Sequence, residues 1–118
     1  MRREPGLYLN EVLESIDAIT TYIKGVDRMT FLANGMMTDA VQKRLEVMGE
    51  AVKGLDASLK GRHPDVPWQR IAGMRDVLSH GYFGVDLNRV WEVAVRDLPV
   101  LRAQLLKVME EEGLAHQP

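Results

Sequence analysis

A chain of 118 residues and 13.3 kDa holds one domain built on a single core. At 46% hydrophobic and 27% charged it is a folded globule, and sparse aromatics (6%) beside frequent Met, Leu, Val and Ala favour helix packing over a sheet sandwich. The absence of cysteine excludes disulfides, thiolate metal sites and a catalytic thiol, and a net charge of −2 with pI ≈ 5.9 excludes a bulk polycation.

The first element is a helix from about Leu7 to Lys24. Its apolar positions Leu9, Val12, Leu13, Ile16, Ile19 and Ile23 follow helical steps, and Gly25 is placed to end it. Thr30 to Gly35 is turn-rich, with Thr30 as the cap of a single helical turn. A second long helix follows, capped by Thr38 or Asp39 and striped by Val41, Leu45, Met48, Val52 and Leu55. Gly49 inside that stripe costs about 1 kcal/mol against Ala, which points to a close helix crossing there.

Residues 56–67 form a connector with room for a short helix at 56–60, while Pro64 and Pro67 deny a long one. Pro67 opens the next helix, whose stripe is Trp68, Ile71, Met74 and Leu78 and whose end is set near Ser79 or His80 by Gly81. Asp86 caps a further helix with Leu87, Val90, Trp91 and Ala94 inward. Pro99 either kinks that helix or stands early in a new one starting at Asp97 or Leu98, with Leu98, Leu101, Leu105 and Val108 continuing the stripe. No repeat, low-complexity tract or sustained strand alternation is present. The expectation is an all-α antiparallel up-and-down bundle of four to five helices. Residues 1–118 make one domain with a core of about 7–110, and the tail 111–118 is expected to fray.

No charge-free run approaches the roughly 18 apolar residues that span a bilayer, and the charged start Met1-Arg2-Arg3-Glu4 leads into an amphipathic segment rather than an apolar signal core. A cytoplasmic protein with no membrane partner is the expectation. Metal-ligand spacings of the His-x-x-x-His or Glu-x-x-His kind are absent, as are phosphate-cradling glycine loops and a nucleophile elbow, so no cofactor is expected. Chemistry concentrates in Arg75-Asp76-Val77-Leu78-Ser79-His80-Gly81-Tyr82. An imidazole exchanges protons near neutral pH and a guanidinium stabilises phosphate charge, a pairing suited to RNA phosphodiester cleavage. Arg75 and His80 are about 140° apart around a helix, so they do not share one face. On spacing alone, His80 reads as a helix-end histidine and Arg75 as a solvated charge.

Other residues have plainer readings beside functional ones. Trp68 and Trp91 fit apolar stripes, as against base stacking. Met29, Met36, Met37 and Met48 read as core or dimer filler. Glu46 and Glu50, four apart, read as salt-bridging residues, as against a support for His80. His63 sits in the connector and His116 in the tail. Residues 60–89 carry five basic side chains against three acidic ones, a weak local patch for RNA.

The stretch Ile71 to Asp86 resembles the signature of HepT-like HEPN proteins, the toxin components of HepT–MntA toxin–antitoxin pairs. The match reads Arg75, a polar Asp76, three variable residues, His80, Gly81 and Tyr82. Asp39-Ala40-Val41, Glu46 to Ala51, Val90-Trp91-Glu92-Val93 and Asp97-Leu98-Pro99 fit as well, so the resemblance covers about residues 7–110. It implies a homodimeric bundle and a metal-independent endoribonuclease whose Arg-x4-His elements from two protomers meet at the interface. Arg75 and His80 are then catalytic, with Asp76, where asparagine is common in the family, orienting one of them. The resemblance also implies that Tyr82 accepts AMP from a cognate nucleotidyltransferase antitoxin, which silences the toxin. The competing reading is a non-catalytic helical module that partners a nucleotidyltransferase without cutting RNA.

Overall fold

The computed structural model describes residues 4–78 and 84–116. Helix α1 spans Pro5–Ile23, with proline in its first turn, where no intrahelical N–H is needed. It ends as the spacing predicts, through Gly25 at φ 74°. The next two helices start earlier than the sequence suggested. Helix α2, Arg28–Ala33, is capped by Asp27, whose carboxylate accepts from Thr30 N–H at 2.8 Å, so Thr30 is the capped residue rather than the cap. Helix α3, Gly35–Lys53, is capped by Asn34, which accepts from Met37 N–H at 3.0 Å. Thr38 is buried inside α3 with its hydroxyl on Gly35 O. Asp27 and Asn34 win because each has extended backbone dihedrals directly before a helix, which aims the side chain back at the orphan N–H groups.

Helix α4 (Ala57–Arg62) follows, then α5 (Trp68–Ala72) and α6 (Met74–Leu78). The single helix expected from Pro67 to near Ser79 or His80 therefore starts one residue later, with Pro67 as its N-cap, and is broken at Gly73. Gly73 N–H donates to Gln69 O, while Gly73 O accepts from Asp76 and Val77. Trp68, Ile71, Met74 and Leu78 are nonetheless all buried. The predicted crossing at Gly49 supplies the reason for the break: a β-carbon there would lie 3.0 Å from Ile71 O and 3.3 Å from Ala72 O. The carbonyl end of α5 thus sits directly on the α3 backbone. The expected end of this helix near Ser79 or His80 lies outside the described residues.

Asp86 caps α7 (Leu87–Glu92) as predicted, accepting from Asn88 and Arg89 N–H, and its own N–H donates to Leu78 O at 2.8 Å, tying α6 to α7. A π-helical turn, Val93–Asp97, joins α7 to α8 (Leu98–Glu111). Pro99 has no N–H for the carbonyl four residues back, and the widened turn passes the ladder on to Leu98 N–H, which donates to Val93 O.

Helix direction follows from cross-contacts. Tyr8, early in α1, lies against Gly54 after α3, and Tyr22, late in α1, accepts from Arg44 in mid-α3, so α1 and α3 are antiparallel. Asp17 on α1 meets Arg102 early in α8, while Asn10 donates to Ala115 O beyond it, so α1 and α8 are antiparallel too. Among the described residues the result is an all-α bundle of α1, α3, the broken α5–α6 rod and the α7–α8 rod, with Leu9, Val12, Ile16, Val41, Leu45 and Leu105 in its centre. After α8, Gly113 (φ 67°) closes the helix with its N–H on Glu110 O, Leu114 N–H reaches Met109 O at 2.8 Å, and Ala115 O accepts from Asn10. Among the described residues no helix is long and apolar enough to cross a membrane.

Candidate functional site

Met74 is buried under the α3–α6 crossing, and the next residue, Arg75, emerges with its side chain 82% exposed. Arg75 Nε lies 3.8 Å from Glu46 Oε1 on α3. This pair stands between two depressions. One, of about 410 Å³, is lined by Glu11, Lys43, Glu50, Lys53 and Asp76 as well as the pair. The other, of about 190 Å³, is lined by Gln42, Leu78, Gly84 and Val85, again with the pair. Gly49 and Gly73 floor the larger one, so the contact that breaks α5 from α6 also opens the space beside Arg75. Asp76 is exposed one position further round the helix. His80 and Tyr82 lie outside the described residues.

The two carboxylates singled out on α3 make ion pairs, as their plainer reading held. Glu46 pairs with Arg75, and Glu50 pairs with Lys53 at 3.1 Å. Both tryptophans are core residues. Trp68 Nε1–H donates to His63 O and Lys60 O, and Trp91 packs at 5.2 Å and 42° to Phe31. Of the methionines, Met48 is core, whereas Met29 and Met36 are 76% and 86% exposed and fill no core. The weakly basic window 60–89 is offset by acids from elsewhere in the chain: Arg62 meets Glu112, Arg70 meets Asp97 at 3.5 Å, and Arg75 meets Glu46. Among the described residues no three His, Cys, Asp or Glu side chains are grouped to hold a metal ion.

One polar cluster escaped sequence reasoning. His63 is only 8% exposed, with Nε2 at 2.7 Å from Glu112 Oε2 and Nδ1 at 3.4 Å from Glu111 Oε2. Arg62 grips both oxygens of Glu112, at 2.7 and 3.0 Å. The guanidinium hydrogen bonds first, and then the His63 bond, hold the Glu112 carboxyl down at about 2. The cluster fastens the end of α4 to the end of α8. A separation of 49 residues carries no periodic signal by which the pair could be found.

An all-α bundle with an arginine displayed between two clefts defines a class of small helical domains with a charged surface site. Residues 12–108 match the family described as ribonuclease HepT-like, and the chain belongs to that family. It is 42% identical over 94% of its length to a gamma-glutamylcyclotransferase and putative RNase of Methanocaldococcus jannaschii, of which it spans half. It is 36% identical to a putative RNase of Caldanaerobacter subterraneus, with 93% of this chain and 98% of the relative covered. A probable ribonuclease HepT of Thermococcus cleftensis is 35% identical, with 92% and 98% covered. No solved structure matches the chain.

Proposed function

We propose that this protein is the endoribonuclease toxin subunit of a toxin–antitoxin pair, working without a metal ion through Arg75 and His80. The observation that carries the reading is the exposure of Arg75 between two clefts in a chain of the ribonuclease HepT-like family. His80 acts as general base or acid: one imidazole takes the 2′-OH proton, the 2′ oxygen attacks phosphorus, and the P–O5′ bond breaks as an imidazolium, the same His80 or its counterpart in the second protomer, protonates the 5′ oxygen, giving a 2′,3′-cyclic phosphate and a 5′-OH. Arg75 stabilises the negative charge that gathers on the phosphorane oxygens. Asp76 orients one of the two. Because positions five apart on a helix do not share one face, a homodimer with a two-fold axis near the end of α6 completes the site. A cognate nucleotidyltransferase silences it by adding AMP to Tyr82, which sets a new anion beside the residues that hold the RNA phosphate.

The test is cleavage of a generic RNA by the purified protein in excess chelator. Cyclic phosphate ends are expected, with a loss of about 10²–10⁴-fold in His80→Ala and little change in His63→Ala. Strict dependence on added divalent ion would overturn the mechanism. RNA left intact would favour the non-catalytic module that only engages a nucleotidyltransferase.

A further inference from the structure

We infer that Glu46 is a positioning residue for Arg75, fixing the direction in which the guanidinium meets a substrate phosphate; the inference rests on the ribonuclease reading. The backbones that carry the two side chains are both held by packing. Leu45 and Met48, on either side of Glu46, are fully buried, and one residue later Gly49 sits against the carbonyls of Ile71 and Ala72. Met74, directly before Arg75, is buried under the same crossing. The height of Glu46 over α6 is therefore set by packing.

Of the other carboxylates that line the larger cleft, Glu50 is engaged by Lys53, Asp76 diverges from Arg75 by about 100° around α6, and Glu11 stands on α1. Glu46 alone of these four lines both clefts together with Arg75. A carboxylate at the Nε corner fixes the plane of the guanidinium, and because the fork is rigid it thereby fixes where the remaining N–H groups point. At 3.8 Å the contact is an ion pair without a short hydrogen bond, so the guanidinium is aimed without being withdrawn from the clefts. The opposite possibility is that Glu46 merely competes with phosphate for Arg75. The two differ in sign: removing a positioning group lowers turnover, and removing a competitor raises it.

The experiment compares Glu46→Gln, Glu46→Asp, Arg75→Ala and the Glu46→Gln/Arg75→Ala pair. Positioning predicts that Glu46→Gln lowers kcat about 10–100-fold, the range in which outer-shell partners act, with KM changed less than about twofold. Glu46→Asp recovers part of the loss, thermal midpoints stay level, and Glu46→Gln adds nothing once Arg75 is gone. Faster cleavage in Glu46→Gln, or an equal further loss in the Arg75→Ala background, overturns the inference. A second readout needs no activity: the ¹⁵N heteronuclear NOE of Arg75 Nε–H should fall in Glu46→Gln. An unchanged NOE also overturns it. If the wild type cuts no RNA while the NOE still falls, the ribonuclease reading fails and the aiming of Arg75 by Glu46 stands.

Discussion

Gly49 can be replaced by residues that grow stepwise into the contact it makes. A β-carbon at this position lies 3.0 Å from Ile71 O and 3.3 Å from Ala72 O, and both are backbone atoms of a helix end that cannot swing aside as a side chain would. Gly49→Ala gains about 1 kcal/mol of helix propensity and loses about 1–3 kcal/mol to overpacking, a net loss of about 1 kcal/mol. Gly49→Val gains less, because β-branching lowers helix propensity, and places two γ-carbons beyond a β-carbon that is already tight; its expected loss is about 3 kcal/mol. Gly61 is the control: it lies in α4 with nothing within 4 Å of its would-be β-carbon, so Gly61→Ala should stabilise by up to about 1 kcal/mol. For a chain of this size about 1 kcal/mol moves the thermal midpoint by about 4 °C, so calorimetry at one protein concentration resolves the series. The order Gly61→Ala above wild type, then Gly49→Ala, then Gly49→Val is the expected outcome. A Gly49→Val protein as stable as the wild type would refute the close crossing and, with it, the packing that sets the height of Glu46 over Arg75.

Three further outcomes are expected. The Glu112 carboxyl is held at about 2 by Arg62 and His63, below its ordinary value of 4.5, so its stabilising contribution is complete above about pH 4.5 and is lost as pH falls toward 2. Urea midpoints should therefore separate wild type from Glu112→Gln at about pH 5 and converge near pH 2; a gap that persists in acid would refute the assignment. Asp86→Ala removes the acceptor for two N–H groups and should cost about 0.5–2 kcal/mol by chemical denaturation, with Asp86→Asn retaining most of the stability. Co-expression with a cognate nucleotidyltransferase should raise the intact mass in steps of AMP in the wild type and not in Tyr82→Phe; silencing without a mass change would mean that the partner acts by binding alone.

Local periodicity carries a large part of this fold. The stripes of α1, α3 and α8 are buried where their spacing put them, and Gly49 and Asp86 announced a crossing and a cap because a residue type unfavourable inside a helix, or favourable before one, says so within a single turn. The stretch from Arg75 to Tyr82 stood out for the same reason, being eight consecutive residues. Tertiary structure decided the rest. Asp27 and Asn34 displaced Thr30, Thr38 and Asp39 as caps, since every candidate has suitable chemistry and only the backbone dihedrals choose among them. The break at Gly73 depends on α3 pressing against the end of α5, a contact between positions more than twenty apart. Glu46 was visible as a charge on α3, yet its partnership with Arg75 exists only because that crossing brings α6 over it. His63 read as a connector residue until the fold carried Glu112 to it, and Ala115 O accepts from Asn10 across 105 residues of chain. Period and propensity act over a few residues, whereas these pairings span distances along the chain over which only packing of the whole bundle selects neighbours.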